Sequence, residues 1–272
     1  MTALERLEKR QNELALVAKR SLGQNFLVSD AVINKIISAV EDFNPKKLIE
    51  IGPGCGALTD LLLPRHPGMK LIELDRGLAS FWRAQGAEVI EGDALQIDWN
   101  FSSDSVLVSN LPYQISSSLV IERSVMGAQL RGMVLMFQKE VAQRIRAQPQ
   151  TEHYGMLSVV AQEFWQIETV CDAGSREFKP APKVSSRVLK FTSKASSVTD
   201  RPHYLRFVKS CFQQRRRVLS TNLAAWGQGH DLTRFSVWIE NHKKSDKIRA
   251  EELSVPELNS LYHFLFSTSG QV

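Results

Sequence analysis

Cysteine is scarce in this chain of 272 residues, which has three, Cys55, Cys171 and Cys211. An odd number at wide spacing excludes a disulfide framework and lacks the paired spacing of a zinc site, so all three read as free thiols and no metal is expected. Long apolar runs are also missing. No segment approaches the roughly eighteen uninterrupted apolar residues of a membrane span. The N-terminal stretch carries Glu5, Arg6, Glu8, Lys9 and Arg10 where a secretory signal would have an apolar centre, so a cytoplasmic protein with no membrane association is expected. Internal repeats and low-complexity tracts are absent. What remains is globular composition, 43% apolar and 23% charged, in a chain long enough for one sizeable core and a smaller second domain.

Charge is short of balance in one region only. Residues 201–272 hold 11 Lys and Arg against 6 Asp and Glu, so the whole formal net charge of +5 falls there. Such asymmetry suits a polyanionic partner, and a solvated basic face is the plain alternative.

Along the chain, residues Thr2 to Lys19 read as a helix with Leu4, Leu7 and Leu14 on one face, either a docking helix or a frayed terminus. Leu22-Gly23-Gln24-Asn25-Phe26-Leu27 follows, a glycine- and amide-bearing segment before a periodic helix (Val32, Ile33, Ile36, Ile37, Val40) that Asp30 is placed to cap. Lys47 to Ile51 reads as a strand, then Gly52-Pro53-Gly54-Cys55-Gly56, then a helical Ala57 to Leu63. Strand, glycine loop and helix N-terminus make a nucleotide-type site. The spacing is G-x-G-x-G rather than the G-x-G-x-x-G of dinucleotide sites, which points to a nucleoside ligand without phosphates such as S-adenosylmethionine. Lys70 to Asp75 reads as the next strand and places Glu73 seventeen residues beyond Gly56, where a carboxylate accepts from ribose hydroxyls. Glu88 to Ala94 supplies Asp93 at a third strand end, suited to an adenine amino group.

The fourth strand, Val106-Leu107-Val108, leads into Ser109-Asn110-Leu111-Pro112-Tyr113. Asn110 offers an amide oxygen, and Pro112 holds Leu111 extended so that its carbonyl direction is fixed. Two acceptors then face one amino group, with the Tyr113 ring as a platform for a planar base. An Asn-Leu-Pro turn with Tyr113 half buried is the bland alternative. Four such features at the ends of four successive β/α units, however, form a methyltransferase pattern.

With these residues in place the sequence resembles the small-subunit ribosomal RNA adenine dimethyltransferases. The resemblance covers about Lys19 to Leu261 and includes Gly23-Gln24-Asn25-Phe26-Leu27, Glu50 to Gly56, Glu73-Leu74-Asp75, Gly92-Asp93-Ala94 and Asn110 to Ser116. It continues through Phe137 to Ala142, Tyr154 to Val159, Phe178 to Val184, Phe212 to Leu219 and Arg249 to Leu253. It implies an α/β fold, a Rossmann-like class I methyltransferase sheet in residues 1–194, and a second, smaller, all-helical C-terminal domain in 195–272 that binds RNA. It implies S-adenosyl-L-methionine held by Asn25, Leu27, Gly52, Gly54, Glu73, Asp93 and Asn110. Chemistry falls to Asn110, Leu111, Pro112 and Tyr113, with Phe178 on the other face of the base, and RNA contacts to Arg215, Arg216, Arg217, Lys179 and Lys183. The implied activity is dimethylation at N6 of two adjacent adenosines near the 3′ end of small-subunit rRNA, by a monomer acting on the pre-30S particle. Departures from the family pattern are Gln114, Ser185 and Arg217, none of them a cofactor or catalytic group. Two alternatives stand beside this reading: a large-subunit rRNA adenine methylase conferring antibiotic resistance, and a non-catalytic nucleic-acid-binding relative.

Overall fold

The computed structural model describes residues 1–15, 19, 23–126, 130–225 and 232–266, the side chain of Leu232 excepted. Parts of the expected Thr2–Lys19 helix (16–18), and Leu22 of the glycine-bearing segment, lie outside the described residues. The chain forms two compact units. One takes Met1–Arg123, Gly127–Ala142 and Gln166–Ser193, the other Ser124–Met126, Gln143–Trp165 and Lys194–Val272.

The first unit is built on a seven-stranded sheet. In chain order it begins with α1 (Ala3–Glu13), β1 (Phe26–Leu27), α2 (Asp30–Glu41), β2 (Leu48–Ile51), α3 (Thr59–Leu62), β3 (Lys70–Glu73), α4 (Arg76–Ala84) and β4 (Glu88–Glu91). β5 (Ser105–Asn110), α5 (Ser116–Val125), β6 (Leu130–Gln138) and α6 (Lys139–Ile145) follow. After α7 (Met156–Phe164) come β7 (Trp165–Ala173), β8 (Phe178–Lys179) and β9 (Ser186–Ser193). The strand order is β4-β3-β2-β5-β6-β9-β7. β4, β3, β2, β5 and β6 run parallel, and β9 is antiparallel to β6. Strands covered on both faces read as unbroken apolar runs, and Val106, Leu107 and Val108 of β5 and Met133 to Phe137 of β6 are all fully buried. β2 is the first strand of this parallel series, with β3 on one side and β5 on the other, which puts a topological switch point beside the C-terminal ends of β2 and β5. Registers Glu50↔Val108 and Ile51↔Ile72 bring the loops after β2, β3 and β5 to one edge.

Helix α2 buries Val32, Ile33, Ile36, Ile37 and Val40, the stripe its periodicity requires. Its cap is Ser29, whose hydroxyl accepts from the Val32 N–H, and not Asp30. Asp30 instead accepts from the Ala3 N–H at 3.1 Å and so fastens α1. Thr2 and Glu5 close a reciprocal capping box on α1.

The second unit contains α7, α8 (Arg201–Cys211), α9 (Leu219–Ala224), α10 (Leu232–Asn241) and α11 (Val255–Phe266). It takes in Gln143–Trp165, which the expected boundary at residue 194 places with the sheet. The reason is packing. Leu157, Val159, Val160, Ala161 and Phe164 of α7 are buried, Phe164 meets Tyr204 edge to face at 6.1 Å, the Tyr154 hydroxyl donates to the Leu253 carbonyl at 2.8 Å, and Asn259 donates to Glu163. Arg215, Arg216 and Arg217, the expected RNA contacts, stand in the turn between α8 and α9. Helix α8 ends at Cys211 because the Asn222 amide takes the carbonyls of Cys211 (2.9 Å) and Gln214 (3.1 Å). Among the described residues no helix is long and apolar enough to cross a membrane.

Candidate active site

The loop after β2 turns sharply at glycines. Gly52, Gly54 and Gly56 all have positive φ, at +66°, +51° and +83°, a backbone region that costs an L side chain about 1–2 kcal/mol. At Gly56 space is also exhausted, since a Cβ would lie 2.1 Å from Arg10 Nη1 and 2.9 Å from the Trp82 ring. At Gly52 it would meet nothing within 4 Å. That open space belongs to a cavity of about 310 Å3, in the size range of small-molecule sites.

The acids of the second and third strands reach it. Glu73, at the end of β3, accepts N–H groups from Asp75 (2.8 Å) and Gly54 (3.3 Å). Burial pushes its carboxyl up, against the pull of those N–H groups. Asp75 is engaged elsewhere. It caps α4 through the Gly77 and Leu78 N–H groups and accepts from the Lys19 ammonium at 2.6 Å, and these contacts, outweighing its burial, hold its carboxyl below the usual value. Asp93 follows β4, accepts the Leu95 N–H at 2.9 Å and lines the cavity.

β5 delivers the remaining groups. Asn110 Nδ2 donates to the Asn25 carbonyl at 3.0 Å, which fixes the side-chain amide and leaves Oδ1 without a donor among the described residues. Leu111, Pro112 and Tyr113 line the same cavity. The Tyr113 hydroxyl is bonded to Ser186 Oγ at 2.8 Å, and burial, opposed by that bond, raises its pKa. From the other side come Asn25, Phe26 and Leu27, the last two in β1, which pairs antiparallel with β8.

That pairing corrects one expectation. Leu27 stands opposite Phe178, and the Phe178 ring is buried in the core beside Leu27, Ile33 and Val188 and does not line the cavity. Lys179 is ion-paired to Glu8 of α1 at 2.8 Å. Lys183, Arg216 and Arg217 are exposed and make no ion pair among the described residues. Arg215 is exposed but engaged, with Nε 2.5 Å from Glu251 and Nη2 donating to the Thr151 carbonyl at 3.0 Å. Among the described residues no cluster of His, Cys, Asp or Glu is arranged to hold a metal.

Two features escaped the sequence reading. Glu50 lies in the cavity wall, fully buried, its carboxyl pushed up to about 8 by burial against the pull of the Thr59 hydroxyl at 2.8 Å. Helix α1 also forms part of the wall through Ala3, Arg6 and Leu7. Arg10 holds α1 there, donating to the Cys55 carbonyl at 2.6 Å and to Asp60 at 3.0 and 3.1 Å. The signal was the spacing of Arg6 and Arg10, one helical turn apart and both toward Asp60.

The cavity suits a nucleoside carrying an amino-acid tail. It has an open glycine cradle, a half-satisfied buried carboxylate at the next strand end, a third acid beyond it and an unused amide oxygen at the switch point.

Known proteins resemble the chain as follows. The family described as "Ribosomal RNA adenine dimethylase" matches residues 15–261. A protein from Bdellovibrio bacteriovorus named ribosomal RNA small subunit methyltransferase A is 52% identical, over 96% of this chain and 98% of its own length. A protein of the same name from Syntrophotalea carbinolica is 37% identical over 89% and 95%. Among solved structures, a dimethyladenosine transferase from Plasmodium falciparum superposes with a TM-score of 0.70 at 26% identity, covering 86% of this chain and 95% of that one. The 23S rRNA methyltransferase ErmE superposes with a TM-score of 0.66 at 23% identity over 89% and 99%, a likeness of fold.

Proposed function

The chain belongs to the ribosomal RNA adenine dimethylase family, and on that premise we propose how its residues carry the reaction. It is an S-adenosylmethionine-dependent adenine dimethyltransferase of small-subunit rRNA. Its targets are two adjacent adenosines near the 3′ end, each methylated twice at N6, in a pre-30S particle in the cytoplasm, and it works as a monomer without a metal.

One observation carries the mechanism: the Asn110 amide nitrogen is committed to the Asn25 carbonyl, which leaves its oxygen as the acceptor of a residue in the cavity wall. The N6 lone pair of adenine is delocalised into the ring and is a poor nucleophile. Asn110 Oδ1 and the Leu111 carbonyl accept the two amino hydrogens and favour a pyramidal nitrogen, and Pro112 holds the Leu111 carbonyl in place. Tyr113, anchored through Ser186, stacks on the base once it has left its own stack. Phe178 has no part in this reading because it is core. S-adenosylmethionine, when bound, supplies a sulfonium methyl. Glu73 accepts its ribose hydroxyls, Asp93 its adenine amino group, and Asn25, Leu27, Gly52 and Gly54 border the methionine. Positioning is most of the rate enhancement, and the proton leaves the methylated amine to water. Arg216, Arg217 and Lys183 meet RNA phosphate.

Incubating the protein with methyl-labelled S-adenosylmethionine and both unmodified ribosomal subunits tests this reading. Label confined to small-subunit adenosines supports it, and label in large-subunit RNA contradicts it.

A further inference from the structure

The amide and hydroxyl side chains lining the cavity are those of Gln24, Asn25, Asn110, Tyr113 and Gln114. All but the last are held within the protein. Asn25 Nδ2 donates to the Gly23 carbonyl at 3.1 Å, and Asn110 Nδ2 donates to the Asn25 carbonyl at 3.0 Å. The Tyr113 hydroxyl is bonded to Ser186. The Gln24 amide is tied back to its own segment, where its oxygen accepts the Lys19 N–H at 2.8 Å. Gln114 differs. It stands one residue beyond Tyr113, in the turn that leads into α5, and it is exposed. Its amide lines the cavity and makes no hydrogen bond among the described residues. A ligand can reach this group without displacing a partner from it.

We infer that Gln114 Nε2 donates to a ring nitrogen of the target adenine and so holds the base through both rounds of methylation. The inference rests on the reading of Asn110 to Tyr113 as the base site. With N6 between the Asn110 and Leu111 acceptors and the ring on Tyr113, the next residue of the chain borders the edge of the base. The amino group of adenine is flanked by N1 on one side and N7 on the other. Both are acceptors without a hydrogen, and an amide is the side chain that matches such an edge. The chemistry gives this bond more weight in the second round. Each transfer forms an N–C bond as the sulfonium S–C bond breaks, and it releases one proton from N6. Unmodified N6 offers two hydrogens to its two acceptors; after the first transfer it offers one, and an acceptor loses its partner. Stacking on Tyr113 does not fix rotation of the base within its own plane. The ring nitrogens keep their lone pairs throughout, so the bond from Gln114 outlasts the first methylation and orients the monomethylated base for the second.

Nucleoside analysis over time, with enzyme in excess over small-subunit particles that lack N6-methylated adenosine, separates the two rounds. Gln114→Met, close in size and without an N–H donor, is expected to slow the second transfer roughly five- to fiftyfold and the first by less than about threefold, so that N6-monomethyladenosine accumulates. Gln114→Asn, which keeps the amide on a shorter stem, is expected between Gln114→Met and wild type. Particles carrying 1-deazaadenosine or 7-deazaadenosine at the target positions identify the atom. One of the two analogues should stall wild type at the monomethyl stage, and on that analogue Gln114→Met should cost nothing further. An equal loss in both rounds, or a loss that multiplies the effect of either analogue, means that Gln114 only shapes the turn. Rates at the wild-type level mean that it touches no substrate, and weakened S-adenosylmethionine binding in calorimetry assigns it to the cofactor; each of these results overturns the inference. If wild type forms no dimethyladenosine on the unmodified particles, the reading of the function falls, and the inference with it.

Discussion

Replacing Gly56 by alanine tests how tightly helix α1 and the glycine loop are joined. The added Cβ would lie 2.1 Å from Arg10 Nη1, 2.7 Å from Asp60 Oδ1 and 2.9 Å from the Trp82 ring. Arg10 can swing away, at the loss of its bonds to Cys55 and Asp60. Trp82 cannot, because it is buried and its Nε1 donates to the Gly54 carbonyl at 3.0 Å. The φ of +83° adds strain of about 1–2 kcal/mol, overpacking on Trp82 about 1–3 kcal/mol, and the displaced Arg10 about 1 kcal/mol. A loss of about 3–6 kcal/mol in unfolding free energy follows, with weaker cofactor binding because α1 is released. Gly52→Ala is the contrast, since no atom stands within 4 Å of its Cβ. It should cost only the strain, about 1–2 kcal/mol, yet weaken cofactor binding by filling the cradle. Urea denaturation with calorimetry on both variants checks the pair. A Gly56→Ala protein within about 0.5 kcal/mol of wild type would refute the packing argument.

Glu73→Ala should weaken S-adenosylmethionine by about 1.5–3 kcal/mol, as loss of hydrogen bonds to a charged acceptor does; unchanged calorimetric affinity in a folded variant removes Glu73 from the site. Asn110→Ala should slow single-turnover methyl transfer about a hundredfold while RNA binding persists, and a rate near wild type would exclude its role as acceptor. Replacing Arg216 and Arg217 by Gln should flatten the dependence of log K on log salt by about one unit per lost phosphate contact. Arg215→Gln should change that slope least, because Arg215 is held by Glu251; equal slopes for all three proteins would move the RNA surface elsewhere. The folded chain keeps a proton on Glu50 up to about pH 8, whereas an unfolded chain releases it near the ordinary value of 4.5. Stability should therefore fall as pH rises from about 4.5 to about 8, and Glu50→Gln should flatten that fall in urea midpoints measured between those limits.

Strands β2 to β5 were legible because each holds a short apolar run that leads into a glycine, an acid or Asn110 at its C-terminal end. The cavity groups of β2, β3, β4 and β5 follow from the same pattern, since a strand end fixes where the next residue stands. What periodicity cannot report is pairing between distant segments. Phe178 reads as a ligand platform in its proline-rich loop, yet pairing of β8 with β1 turns it into the core. Arg215 to Arg217 continue a helical spacing in sequence, yet Asn222 takes the carbonyl of Cys211, the last residue of α8, and that of Gln214 in the turn that follows. Arg6 and Glu50 went unnoticed because an arginine on a charged helix and an acid inside a strand gain meaning only when the chain folds them into one cavity wall.

The most direct test is nucleoside mapping on small-subunit particles that lack N6-methylated adenosine, treated with this protein and S-adenosylmethionine. The account predicts N6,N6-dimethyladenosine at two adjacent positions near the 3′ end of the small-subunit rRNA, formed about a hundredfold more slowly when Asn110→Ala replaces wild type. Methylation at another base or atom, or undiminished dimethylation by Asn110→Ala, would contradict it.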